Sequence, residues 1–126
     1  MFQRQPKQPN NNRKYDRIKV CVPGQLNIKK IQGQTVGNRG AIDITIEDVS
    51  SGGIYFTSLT QLPVSPLVIY EVVFILDEKR VAMRGIIQRK ITETRNFYGY
   101  GFSFEHESFE EFNLLYTFLS KKLKNK

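Results

Sequence analysis

A chain of 126 residues is long enough for one domain with a real core, and 40% hydrophobic with 12% aromatic residues excludes a polymer too polar to fold. The net charge of +7, with a pI near 9.6, points to an anionic partner without naming it. One cysteine, Cys21, and one histidine, His106, exclude an intrachain disulfide, a thiolate zinc cluster and any metal or catalytic site built on two imidazoles.

Residues 1–12, MFQRQPKQPNNN, offer almost nothing to bury and read as a flexible arm. This end is basic: residues 1–40 carry nine Lys or Arg and only Asp16 as an acid. IKVCV then opens a β-branched strand in which Cys21 reads as a small core residue, and Pro23-Gly24 mark a bend or bulge before QLNI resumes. KKIQGQTVGNRG, with three glycines, reads as an extended hairpin tip. AIDITIED alternates cleanly, with Ile42, Ile44 and Ile46 on one face, as a half-buried strand does.

DVSSGG turns the chain into IYFTSL, LPVSP breaks that strand, and LVIYEVVFIL is a longer one, apolar on both faces. The charged turn DEKR leads to VAMRGIIQRKI, and FYGYGFSF closes the series, with Gly99 and Gly101 on one face where they permit a sharp bend. Ser108 and Glu111 form a capping box, and Phe109, Phe112, Tyr116 and Leu119, with Leu115 beside them, recur at helical spacing over about 14 residues. KKLKNK ends the chain with four lysines, a second basic block. Six strand-like segments on short turns, followed by one helix, predict an all-β antiparallel barrel or sandwich with a carboxyl-terminal α-helix. The expected organisation is an arm over residues 1–12, a domain over 13–122 and a basic tail over 123–126.

Two short motifs carry chemistry. Arg13 and Arg17 stand four apart in an extended stretch, pointing the same way and roughly 13 Å apart at ~3.3 Å per residue, too wide for one phosphate. Arginine forks bind phosphate bidentately or pair with guanine O6 and N7. In Asp48-Val49-Ser50-Ser51-Gly52-Gly53, Asp48 supplies acceptors suited to the N–H groups of a guanine edge and Ser50 supplies a hydroxyl. Gly53 can take positive φ and let a ligand approach the backbone. Either motif alone has an ordinary reading. Arg80-x-x-x-Arg84 repeats the first on what reads as a strand's solvent face, the second is a common turn, and Arg17 with Asp48 can make a plain cross-strand ion pair.

Both motifs together, 31 residues apart, resemble the PilZ domain family. Gly85, Ile87 and Arg89 of RGIIQRKI resemble the family's glycine–x–aliphatic–x–Arg/Trp strand, and YGYGFSF followed by a helix resembles its usual ending, so the likeness covers residues 12 to 122. It implies a six-stranded antiparallel β-barrel with a carboxyl-terminal helix that binds the bacterial second messenger cyclic di-GMP. Arg13 and Arg17 would hold phosphates and guanine Hoogsteen edges, Asp48 and Ser50 would contact a guanine, and Gly53 would let the loop close. Lys14 and Arg89 are further candidate contacts. Asn12 stands where many members carry another basic residue, a neighbourhood that bears on whether one ligand or a stacked pair binds.

The expected function is therefore a non-enzymatic, single-domain receptor that signals to an effector protein when ligand orders its amino-terminal arm. No paired catalytic carboxylates, nucleophile–base set, cofactor motif or metal cluster is evident. No 18-residue apolar run spans a membrane and no apolar signal core opens the chain, so a reducing cytoplasm is expected. Two alternatives compete. One is a basic barrel that binds single-stranded nucleic acid through exposed Tyr98 and Tyr100, which Asp48 in the site disfavours. The other is a ligand-free PilZ-fold adaptor.

Overall fold

Alternating apolar and polar side chains build most of the chain into strands, seen in a computed structural model that describes residues 17–37, 40–105 and 109–124, the side chains of residues 109–112, 123 and 124 excepted. The strands are β1 (Ile18–Ile31), β2 (Gln34–Thr35), β3 (Ile42–Val49), β4 (Gly53–Ser58), β5 (Val68–Leu76), β6 (Lys79–Thr94) and β7 (Phe97–Phe104), followed by α1 (Phe109–Lys124). β2 is only the short return of a hairpin on the end of β1. The other six run β1-β3-β4-β7-β6-β5, and β5 pairs back on β1, closing a six-stranded antiparallel barrel. Closure gives the edge strands partners and leaves one interior to fill.

Inward positions supply that filling. Leu26, Ile46, Phe56, Tyr70, Val72, Val81 and Tyr100 are fully buried, and Phe56 stacks on Tyr100 with ring centroids 5.2 Å apart. The loop 59–67 covers one end of the barrel and buries its own Leu62 there. It is held from inside: the Tyr100 hydroxyl donates to Thr60 O at 2.7 Å and accepts from Leu62 N at 2.9 Å, while the Tyr70 hydroxyl donates to Pro63 O at 3.3 Å. Burial pushes the Tyr70 hydroxyl up to about 12, and raises that of Tyr100 as well.

Three sequence expectations change here. Tyr98 and Tyr100 face the interior, because β7 turns its aromatic positions inward and its glycines outward, which removes the stacking surface of the nucleic-acid alternative. Cys21 is exposed, since Ile18, Leu26 and the residues between them of even number face the core and Cys21 falls on the opposite face. On α1 the buried residues are Leu115, Phe118 and Leu119, spaced i, i+3, i+4, whereas Tyr116 is 58% exposed. His106 and the Ser108 cap lie outside the described residues, as do the side chains of Phe109 and Phe112.

Candidate functional site

Asp48 reaches the outer surface because β3 bulges. Ile46 pairs with Phe56 and Asp48 with Tyr55, so Glu47 is left over as the extra residue. Ile44 and Ile46 face inward, and unbroken alternation would have sent Asp48 inward too. The bulge reverses the parity, buries Val49 and turns Asp48 out. Arg17, one residue before inward-facing Ile18, lies on the same outer face. Its Nη1 donates to Asp48 Oδ1 at 2.6 Å, with the side chains 34% and 16% exposed. The cross-strand ion pair is thus present. Arg13 and Lys14 lie outside the described residues.

Ser50 and Gly53 shape the connection between β3 and β4. Ser50 N donates to Gly53 O at 2.9 Å, and the buried Ser50 Oγ accepts from Gly52 N and Gly53 N at 3.2 Å each. The hydroxyl also lies 3.2 Å from Gly53 O, to which it donates. Phe104 N donates to Gly52 O at 2.9 Å, tying the turn to the end of β7. Gly53 does not adopt positive φ. Its requirement is steric: a Cβ there would fall far inside van der Waals contact with the Phe102 carbonyl of β7. The glycine admits a neighbouring strand, which is not the reason its motif suggested.

A second bulge positions Arg89. On β6, Val81, Met83, Gly85 and Ile87 face inward, and Arg89 would follow them. Ile87 pairs with Phe102 and Arg89 with Gly101, so Gln88 is the extra residue and Arg89 emerges outside. There it lies across Gly101, its Cγ and Nε each 3.0 Å from where a Cβ would stand. Neighbouring Gly99 likewise makes room for the Tyr55 ring, whose hydroxyl donates to the Glu93 carboxylate. Burial, followed by that bond and the Glu93 charge, pushes Tyr55 up to about 12. The two glycines give the outer face a shelf for large side chains, rather than the bend expected of them.

The outcome is one cleft of about 230 Å³, lined by Arg17, Ser50, Gly52, Gly53, Gln88, Arg89, Gly101, Phe102 and Ser103. Arg17, Ser50 with Gly53, and Arg89 come from three separate stretches of chain and meet here. Asp48 stands behind Arg17, as its ion partner. Gln88 and Ser103 were not anticipated: the first is placed by a bulge, the second by the register of β7 on β4. The cleft falls below the ~300–1,000 Å³ common for enclosed ligand pockets. A larger groove, about 730 Å³, separates α1 from the β5–β6 turn. Its lining mixes two acids, Asp77 and Glu78, with two bases, Lys79 and Lys121, so no single charge converges there. Among the described residues no group of three or more His, Cys, Asp or Glu is arranged to hold a metal ion, and no helix is long and apolar enough to cross a membrane.

Known proteins agree with this architecture. A model of the PilZ domain matches residues 11–121, while no curated protein sequence matches the chain. The fold is similar to that of the inhibitor of motility MotI/DgrA from Bacillus subtilis, at 13% identity and a TM-score of 0.69, over 90% of this chain and 52% of that one. It is similar to the PilZ domain of Escherichia coli YcgR with c-di-GMP, at 15% identity and 0.62, over 90% and 93%. The K. pneumonia MrkH–c-di-GMP complex matches at 14% and 0.62, over 88% and 51%. This chain therefore spans about half the length of MotI and MrkH and nearly all of the YcgR domain. At such identities the likeness is one of fold.

Proposed function

The chain belongs to the PilZ domain family, and from that membership and its cleft we propose that it is a cyclic di-GMP receptor acting by binding, without catalysis. The observation that carries the reading is the convergence of Arg17, Ser50, Gly53 and Arg89 on one cleft. Two guanidinium groups at its wall suit a dianion that presents phosphates and guanine acceptors. Two of the similar structures, those of YcgR and MrkH, hold c-di-GMP.

The Arg17–Asp48 pair does not obstruct this. A partly exposed ion pair is worth only ~0–1 kcal/mol, so exchanging the carboxylate for a phosphate costs little. Because the described cleft is too small to enclose such a ligand, the residues ahead of Arg17 supply its other wall. Ligand orders this arm over the cleft, with Arg13 and, beside it, Lys14 reaching the ligand, and the ordered arm offers an altered surface to an effector protein. Protection of the arm from hydrogen exchange on ligand addition tests that step, and unchanged exchange refutes it.

Calorimetric titration tests the receptor reading itself. At ~1–3 kcal/mol for each bidentate contact, Arg13→Ala or Arg17→Ala weakens binding about tenfold or more, while Arg80→Ala with Arg84→Ala leaves it unchanged. Equal losses in both sets overturn the assignment. The adaptor alternative has one observation in its favour, that Arg17 and Asp48 satisfy each other without ligand. It predicts no thermal shift with cyclic di-GMP far above micromolar concentration.

A further inference from the structure

We infer that Gln88 reads the guanine base in this cleft, accepting a hydrogen bond at its carboxamide oxygen from the exocyclic N2 amino group; the inference rests on the cyclic di-GMP reading. No motif or resemblance assigns this residue a role. It reaches the cleft only because β6 bulges, the register passing from Ile87↔Phe102 to Arg89↔Gly101 with Gln88 left over.

The chemistry of the lining selects it. Guanine differs from adenine in offering an N2 amino donor, and a site that recognises it needs an acceptor. Arg17 and Arg89 only donate. The Ser50 oxygen already accepts from two backbone amides and its hydroxyl faces Gly53 O. Asp48 does not line the cleft and stands behind Arg17, away from a base seated there. Two side-chain acceptors are left on the wall, Ser103 and Gln88, and the hydroxyl of Ser103 is short. The Gln88 carboxamide has the reach, is exposed, and lines the same cleft as Arg89, whose fork suits O6 and N7 of a base. Together the donor fork and the acceptor read guanine twice, the fork at O6 and N7 and the carboxamide at the N2 amino group.

The test compares the wild type with Gln88→Leu, each titrated with cyclic di-GMP and with its inosine counterpart, which lacks the N2 amino groups. Thermal melting without ligand checks that Gln88→Leu stays folded, as an exposed position should allow. The expected result is a roughly tenfold loss of cyclic di-GMP affinity in Gln88→Leu, and a loss at least threefold smaller for the inosine ligand, because the deleted contact is already missing. Undiminished affinity, or the same loss for both ligands, overturns the role of Gln88 while leaving the receptor reading intact. A wild type that does not bind cyclic di-GMP overturns both.

Discussion

Replacing Ser50 by alanine separates two roles that its motif position confounds. If the hydroxyl serves the ligand alone, its removal leaves the empty protein's stability unchanged. The hydrogen bonds say otherwise: Ser50 Oγ accepts from Gly52 N and Gly53 N at 3.2 Å each, at a side chain only 3% exposed. Ser50→Ala strips a buried amide at Gly53 of this acceptor and a half-exposed one at Gly52, which can turn to water. An unsatisfied buried donor costs about 1–3 kcal/mol, and a half-solvated one less, so the total is about 2 kcal/mol. For a domain of this size that is a fall in melting temperature of roughly 5–10 °C. Thermal denaturation followed by circular dichroism, without ligand, measures it. An unchanged melting temperature refutes the structural role and returns Ser50 to the ligand alone.

Other consequences follow from the same geometry. Gly53→Ala drives a Cβ into the Phe102 carbonyl, a backbone group that cannot swing aside, and should destabilise the barrel by about 3 kcal/mol, the upper range for overpacking, in chemical denaturation. The β5–β6 turn places both Asp77 and Glu78 at positive φ, 50° and 66°, where Asn-Gly is preferred, so Asp77→Asn with Glu78→Gly should raise stability by about 1 kcal/mol; a decrease would refute strain at this turn. Tyr55 and Tyr70 are raised to about 12 in the folded protein, so they hold their protons more tightly than the unfolded chain does. Their stabilising contribution is complete below pH 10 and is lost as pH rises through 12. Tyrosinate absorbance of the folded protein should therefore show at least two hydroxyls resisting titration at pH 10 to 11, and ordinary titration of all six would contradict it.

Much of the fold was legible because alternation in AIDITIED and in the other strand segments reports a buried face directly. The closed barrel and terminal helix match that reading. What alternation cannot report is a skipped partner, since a bulge is a property of two strands in register. The bulges at Glu47 and Gln88 are therefore invisible in the sequence, yet they turn Asp48 and Arg89 outward and bring Gln88 to the cleft. The misplacement of Cys21 and of the β7 tyrosines is different. IKVCV and FYGYGFSF do alternate, and in each the bulkier set, Ile18, Val20 and Val22 or Tyr98, Tyr100, Phe102 and Phe104, is the one that faces the core, so these orientations were legible. Gly53 carried a genuine signal with the wrong cause, for a glycine that admits a strand and one that admits a ligand look alike in a motif.

Nuclear magnetic resonance mapping of the ¹⁵N-labelled protein during titration with cyclic di-GMP shows whether the cleft is where the ligand binds. Saturable shifts are expected at Arg17, Gly52, Gly53, Arg89 and Ser103, the backbone around the cleft. Shifts confined to the loop 59–67 at the opposite end of the barrel, or none at millimolar ligand, would contradict it.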